Sequence, residues 1–239
     1  MRLAALLFLL LSGPAAALPE GWSRLSDLAP GIVQDMRYAR DLNFTGGPVP
    51  GYEAAECLLL TPVAQALARV ETRLAAQGLG LIVWDCYRPT RAVDRFANWA
   101  AGDGGPDLSA LFHPDLSRSA LIPQGYIARK SSHSRGVAVD VGLIPAGKAP
   151  PLPQTRPGLR CDGPFANRPA ESPLDMGTSF DCFSPLSALD APVGPDATAN
   201  RATLTRAMEA EGFAGYRAEW WHFRHEGTPA AAAQDFPVR

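Results

Sequence analysis

The ten residues SSHSRGVAVD, Ser131 to Asp140, place a polar, glycine-ended segment directly before a run of valines. Gly136 predicts a turn, and the β-branched residues of 137–143 predict a strand. Side chains alternate between the two faces of a strand, so one face carries Asp140 among small residues. The small residues on that face are Ala138 and Gly142. The pattern therefore predicts a carboxylate with room for an ion beside it.

A second stretch, Glu219-Trp220-Trp221-His222, adds another carboxylate and another imidazole. His133, Asp140 and His222 would give zinc two imidazoles and one carboxylate, and leave one tetrahedral position open for water. The turn at Gly136 allows His133 to face the same ion as Asp140. Glu219 is the candidate general base, provided that a bulge turns it towards His222. The sequence thus predicts a catalytic site with one zinc ion per chain.

Each of these residues also has a simpler explanation. His133 alone is typical of a turn histidine that donates to the backbone, and His222 between two aromatic residues fits a core position. Asp140 is harder to explain without a partner, because burying an unpaired carboxylate is costly. Residue spacing alone leaves the metal site and the structural explanation open.

Residues 1–17 have the three parts of a secretory signal peptide. Arg2 precedes the apolar run 3–11, which is too short to span a bilayer, and small residues follow at 15–17. A buried N-terminal helix is the alternative. We expect cleavage after Ala17, a mature domain of residues 18–239, and a periplasmic or secreted protein without stable membrane insertion after cleavage.

Composition indicates one globular domain, since 46% of residues are hydrophobic and 19% are charged. The net charge is −2 and the basic residues are scattered, which argues against nucleic-acid binding.

Four cysteines in an exported chain favour disulfides. Cys57 and Cys86 lie in apolar, strand-like segments, whereas Cys161 and Cys182 bracket a loop rich in proline and glycine. We therefore favour Cys57–Cys86 and Cys161–Cys182 among the three pairings. A structural zinc site built from all four is the alternative, but the chain has no Cys-x-x-Cys pair to support it.

Helices and strands alternate without strict βαβ order, which favours a single α+β domain with a mainly antiparallel central sheet flanked by helices. Helices are predicted over 61–78, 89–102 and 197–210. Strands are predicted over 79–84 and 213–225, and as a strand, turn and strand within 126–143. Irregular chain is predicted over 103–121 and 144–195.

The two polar stretches resemble the signature of one peptidase family. Its pattern is Ser-x-His-x-x-Gly-x-Ala-x-Asp, followed later by Glu-x-x-His. The matching residues are Ser131, His133, Gly136, Ala138, Asp140, Glu219 and His222. The chain thereby resembles the D-alanyl-D-alanine dipeptidases, the VanX-like branch of the zinc D-Ala-D-Ala metallopeptidases, which are related to the Hedgehog-type fold. Further similar blocks lie at 38–46, 51–53, 85–93, 176–183 and 235–238.

The resemblance implies zinc-dependent hydrolysis of the small dipeptide D-Ala-D-Ala, with His133, Asp140 and His222 as metal ligands. It implies that Glu219 acts as general base and then as general acid. Arg88 would stabilise the oxyanion of the tetrahedral intermediate. A salt bridge at a strand end is the alternative for Arg88.

The resemblance also implies a substrate site. Tyr38 and Asp181 would hold the ammonium group of the dipeptide, and Ser131 its carboxylate region. The alternatives are a packed aromatic for Tyr38 and a surface Asx-turn for Asp181.

Two features depart from the family. The signal peptide places this chain outside the cytoplasm, and the loop 144–175, with Cys161 inside it, is longer than usual. We expect this loop to reshape the mouth of the pocket. A zinc D,D- or L,D-carboxypeptidase acting on peptidoglycan stem peptides and a wall-recognition module without turnover are the rival functions.

Overall fold

The protein is described by a computed structural model covering residues 18–151, 156–169, 171–172 and 174–239. The predicted signal peptide, residues 1–17, lies outside the described residues. The strands are β1 (Trp22–Arg24), β2 (Val33–Gln34), β3 (Leu58–Leu60), β4 (Leu79–Asp85), β5 (Ala138–Pro145), β6 (Phe213–Tyr216) and β7 (Glu219–His225). The helices are α1 (Leu25–Leu28), α2 (Thr61–Ala75), α3 (Thr90–Ala100), α4 (Ser109–Phe112), α5 (Arg118–Leu121) and α6 (Pro195–Glu209).

Five strands form the central sheet in the order β2-β4-β5-β7-β6. The pairing of β2 with β4 is parallel, and the other three pairings are antiparallel. Strands β1 and β3 form a separate antiparallel pair. Helix α2 packs against β4, helix α6 packs against β6, and the two helices contact each other. The prediction of an α+β domain with a mainly antiparallel sheet is confirmed.

The three long helices form where the sequence predicts them. In α2, Thr61 and Pro62 open the helix, and its inner side is fully buried. That inner side consists of Val63, Ala64, Leu67, Val70 and Leu74. Gly78 then turns the chain into β4 with a φ of 73°, a conformation that glycine adopts without strain.

Strand β5 lies at the centre of the sheet and pairs with β4 on one side and with β7 on the other. Gly142 faces the ring of Trp84, and a Cβ placed on Gly142 would lie 2.4 Å from that ring. Trp84 is fully buried and stacks on Phe180. The space beside Gly142 therefore holds the ring of a tryptophan.

Two local predictions were wrong. Residues 126–130 form turns, because both edges of β5 are already paired and no strand position is left for them. The amides of Tyr126 and Ile127 instead donate to the carbonyl of Leu121. The segment 103–121 is not wholly irregular, since it contains the short helices α4 and α5.

The structure pairs Cys57 with Cys86 and Cys161 with Cys182, the pairs favoured by the sequence. The first disulfide joins the segment before β3 to the end of β4. The second joins the long loop to the residue after Asp181. Within the described part of the chain, no helix has the length and apolar character needed to cross a bilayer.

Replacing Gly142 with Ala is expected to destabilise the domain by about 1–3 kcal/mol, the usual cost of forcing an extra carbon into a packed core. For a domain of this size that lowers the melting temperature by roughly 2–4 °C per kcal/mol. Thermal unfolding measures the effect. Gly47→Ala is the control, because its Cβ would have nothing within 4 Å. Equal melting temperatures for the two variants would contradict this account of the core.

Candidate metal centre and active site

The register of the central strands places three polar residues in one row. Asp140 on β5 lies opposite Asp85 on β4 and opposite His222 on β7. Side chains of directly opposed residues project from the same face of a sheet. The pairing therefore brings a carboxylate and an imidazole together from positions 82 residues apart.

His133 reaches this row from a single 3-10 turn, His133–Arg135, directly before β5. The turn ends at Gly136, whose φ of 71° is in the left-handed region. A Cβ on Gly136 would also lie 2.6 Å from Trp22, so both the backbone and the space require glycine. The Nδ1 of His133 donates to the carbonyl of Cys86 at 2.6 Å, which leaves the Nε2 lone pair facing the cluster.

Three ligand atoms converge at the end of this row. His222 Nδ1 lies 3.0 Å from both His133 Nε2 and Asp140 Oδ1. His133 Nε2 lies 3.3 Å from Asp140 Oδ1. Zinc bonds of about 2.0–2.2 Å at tetrahedral angles hold ligand atoms about 3.3 Å apart. The three residues therefore fit a zinc ion on one side of their triangle, and they form a group of metal-ligating side chains within the described chain.

The protonation states of these groups also suit a metal. Burial lowers the pKa of His222 despite its contact with Asp140, and this favours the neutral form that binds metal. Burial alone would raise the pKa of Asp140, but His133 and His222 together hold it below its ordinary value. A neutral imidazole at His222 and an ionised carboxylate at Asp140 match ligands for a divalent cation.

Glu219 lies in the same cavity as His222, although residues three apart on a regular strand point to opposite faces. The register of β6 against β7 jumps between Gly215, opposite Phe223, and Tyr216, opposite Glu219. This irregularity is the bulge that the sequence analysis required. Burial, followed by the neighbouring Asp140 and Asp181, raises the pKa of Glu219 well above its ordinary value. A divalent cation at the three ligands would lower that pKa again.

Arg88 is anchored by a buried carboxylate. Its Nε and Nη2 both lie 2.9 Å from Asp85 Oδ2, and its guanidinium lies over the rings of Tyr38 and Phe96. A guanidinium has five N–H donors, so these two bonds leave others available to a ligand. Arg88 therefore makes the strand-end ion pair and also lines the cavity.

Tyr38 and Asp181 meet in the cavity wall, where the Tyr38 hydroxyl donates to Asp181 Oδ2 at 2.8 Å. Asp181 is buried and its φ is 57°, so it is not in a surface Asx-turn. Burial and the charge of Asp140 raise its pKa well above the ordinary value. Ser131 also lines the cavity, and its hydroxyl oxygen accepts from the amide of His133 at 3.2 Å.

All the predicted site residues line one cavity of about 420 Å³. They are Tyr38, Arg88, Ser131, His133, Asp140, Asp181, Glu219 and His222. With Asp85, the cluster holds four carboxylates and, among the described residues, one buried guanidinium. A divalent metal would offset two of the three excess negative charges, and buried charge requires such compensation.

Asp85 opens the family-like block 85–93 but is not among the predicted site residues. It is fully buried, it accepts from Tyr52 at 2.6 Å, and it lies 3.5 Å from His133 Nδ1. A carboxylate that ends an apolar strand was the signal available in the sequence, because a buried acid needs partners.

The expectation for the long loop was wrong. None of its described residues between 144 and 175 lines the cavity. Ser172 donates to the carbonyl of Leu143, and residues near Arg168 and Leu174 surround Trp84. The described residues of this loop therefore pack around Trp84, on the same face of the sheet as Asp140, without lining the cavity. The segment 125–132 and residues 214–216 border the cavity instead.

The model of the Peptidase M15 family, described as D-ala-D-ala dipeptidase, matches residues 20–152 and 162–238. The chain belongs to this family. The prediction of a metallopeptidase is confirmed at the level of the family. Because the matched ranges include every predicted site residue, the family membership covers the whole of the cavity described above.

Two curated M15 relatives are D-alanyl-D-alanine dipeptidases. The one from Enterococcus faecalis is 35% identical over 86% of this chain and 91% of its own length. The one from Streptomyces coelicolor is 35% identical over 90% of this chain and 96% of its own length. Among solved structures, the vancomycin-resistance D,D-dipeptidase VanXYg matches 87% of this chain and 67% of its own, with 17% identity and a TM-score of 0.36. That score is too low to carry an argument.

The geometry predicts that the M15 chain binds one zinc ion through His133, Asp140 and His222. His222→Ala should lower the zinc affinity at least about 10-fold, since it removes one of three protein ligands. Equilibrium titration with a competing zinc chelator measures this. His113→Gln is the matched control, because His113 is buried and, among the described residues, the one hydrogen bond of its ring runs from Nδ1 to the carbonyl of Leu116. Equal affinities for the two variants would show that the ion binds elsewhere.

Proposed function

We propose that this chain hydrolyses free D-Ala-D-Ala to two D-alanines, with one zinc ion held by His133, Asp140 and His222. The observation that carries the proposal is the convergence of three ligand atoms within 3.0–3.3 Å in a cavity that also contains Glu219 and the buried Asp181. When bound, zinc supplies a Lewis acid that polarises the peptide carbonyl and lowers the pKa of water.

Glu219 takes a proton from the attacking water and later delivers it to the nitrogen of the leaving D-alanine. Its buried position beside Asp140 and Asp181 raises its pKa, while a divalent cation lowers it, and the balance suits a group that both accepts and donates a proton. Arg88 donates to the developing oxyanion. Its anchorage on Asp85 holds it in place before the reaction, and such preorganised charge is effective in a site shielded from water.

Asp181 supplies the selectivity for a dipeptide. Its carboxylate is buried, and Tyr38 is its only hydrogen-bond partner among the described residues. A free ammonium group at this position pairs with the carboxylate, whereas an acylated nitrogen leaves it without a counter-charge. Ser131 lines the cavity two residues before the metal ligand His133, and its hydroxyl donates to the substrate carboxylate.

The activity test compares D-Ala-D-Ala, N-acetyl-D-Ala-D-Ala and a stem pentapeptide ending in D-Ala-D-Ala. We expect kcat/KM to be roughly 100-fold higher for the free dipeptide, because burying Asp181 without a cation costs about 3 kcal/mol. A chelator should abolish the activity and zinc should restore it. Release of D-alanine from the pentapeptide alone would identify a carboxypeptidase.

Glu219→Gln is the matched inactive variant in the same assay. It should bind zinc as tightly as the wild type while kcat falls by about 10²–10⁴, the usual contribution of a general base. If the wild-type protein binds wall peptides but hydrolyses neither them nor the dipeptide, it is a recognition module.

The chain is also proposed to be exported, with cleavage after Ala17. The three-part pattern of residues 1–17 supports this, as do two disulfides, which persist in oxidising compartments. Its substrate would then be dipeptide released from the wall or taken from the surroundings.

Expression of the full-length chain in a bacterium should give an extracytoplasmic protein that begins at Leu18. The intact mass should also show four oxidised cysteines. Ala17→Arg is the control that should block cleavage, because the cleavage site requires small residues. A cytoplasmic protein retaining residues 1–17 would refute the proposal of export.

A further inference from the structure

A buried ion pair lies behind the cavity. Arg37 Nη1 donates to Glu171 Oε1 at 3.0 Å, and Arg37 Nε donates to Asp35 Oδ2 at 2.8 Å. The side chains of all three residues are less than a tenth exposed. Neither Arg37 nor Glu171 is among the described residues that line the catalytic cavity.

The ion pair connects the two segments that carry Tyr38 and Asp181. Arg37 directly precedes Tyr38 in one short 3-10 turn, Arg37–Ala39. The second oxygen of Glu171 accepts from the amide of Phe180 at 2.7 Å, one residue before Asp181. Because the Tyr38 hydroxyl donates to Asp181, the contacts form a closed ring. The ring runs through Tyr38, Arg37, Glu171, Phe180 and Asp181.

Stability alone does not explain this pair. Removing two charges from water costs as much as their attraction returns, so apolar side chains of similar size would serve a core equally well. Arg37 Nη2 is also buried without a hydrogen-bond partner among the described residues, which adds to that cost. Directional contacts, in contrast to apolar packing, fix the separation of the segments they join.

Asp181 needs such support. Its φ of 57° is unfavourable for a residue with a side chain, and such a conformation persists when the surrounding contacts enforce it. Glu171 fixes the peptide before Asp181, and the disulfide Cys161–Cys182 fixes the residue after it. The carboxylate is thereby held against Tyr38 at one position in the cavity wall.

We propose that Arg37 and Glu171 are positioning residues that set the distance between Tyr38 and Asp181, and so determine the affinity for the substrate ammonium group. The proposal rests on the proposed function, in which Asp181 pairs with that group. Neither residue touches the reacting atoms, so the loss of the ion pair acts on KM and leaves kcat nearly unchanged.

Glu171→Gln is the first test. A glutamine has one carbonyl oxygen and one NH2 group, so it cannot accept from both Arg37 and Phe180 as the carboxylate does. We expect KM for D-Ala-D-Ala to rise about 10-fold or more with kcat within about threefold of the wild type, the pattern of a lost binding contact. The inhibition constant of propanoyl-D-alanine, which lacks the ammonium group, should stay within about twofold.

The comparison of dipeptide and propanoyl-D-alanine separates positioning from general loosening. A loosened site weakens both ligands equally, and that result would overturn the proposal. Arg168→Met is the matched control, since Arg168 is buried and pairs with the partly exposed Asp175 in the same loop. It should lower the melting temperature and leave KM for the dipeptide unchanged. A rise in KM equal to that of Glu171→Gln would likewise overturn the proposal.

Arg37→Lys provides the same readout if Glu171→Gln fails to fold. A lysine keeps the charge but lacks the rigid fork that bonds Asp35 and Glu171 together. We expect the same rise in KM with an unchanged inhibition constant, and an unchanged KM would overturn the proposal. A wild-type protein without activity on D-Ala-D-Ala would refute the proposed function itself, whereas an active wild type with unaffected variants would refute the positioning role alone.

Discussion

The register of β5 between β4 and β7 is the constraint on which the site depends. It sets Asp140 opposite both Asp85 and His222, and it starts β5 directly after the turn that carries His133. A shift of one residue would move Asp140 to the other face of the sheet. The register is supported by packing two residues further along β5, where Gly142 accommodates the ring of Trp84. Packing further along the ligand-bearing face of the sheet therefore helps to set the geometry of the site.

Charge is the second organising factor. Four carboxylates surround the cavity, and Arg88 is anchored to the one that is fully buried, Asp85. Burial is the main cause of the raised pKa values of Glu219 and Asp181, and the neighbouring negative charges raise both further. The cluster is thus electrostatically incomplete without cations. The ligand triangle and the Tyr38–Asp181 contact both belong to the wall of this cavity.

Local sequence was sufficient for α2, because Thr61, Pro62 and an apolar stripe define a helix without reference to the rest of the chain. It was also sufficient to select His133, Asp140 and His222 as candidate ligands by residue type, and the structure brings these three together. It could not show that Asp140 pairs with His222, or that a bulge turns Glu219 inward, since both depend on strands far apart in sequence. The strand expected near Tyr126 failed for a related reason, because β5 has no free edge. The path of the long loop depends on packing around Trp84, which residue patterns do not reveal.

The two neighbours of β5 come from opposite directions along the chain: β4 precedes it, whereas β7 follows at Glu219–His225. During synthesis, which runs from the N terminus, the second edge of β5 has no partner until the last part of the chain has emerged. The C-terminal residues then close the structure, as Val238 bridges to Tyr52 and the carbonyl of Phe236 accepts from Tyr87. The candidate ligand set is therefore assembled only after residues 219–225 have been made, and a chain that stops before them lacks both the third candidate ligand and the strand that pairs with the second edge of β5.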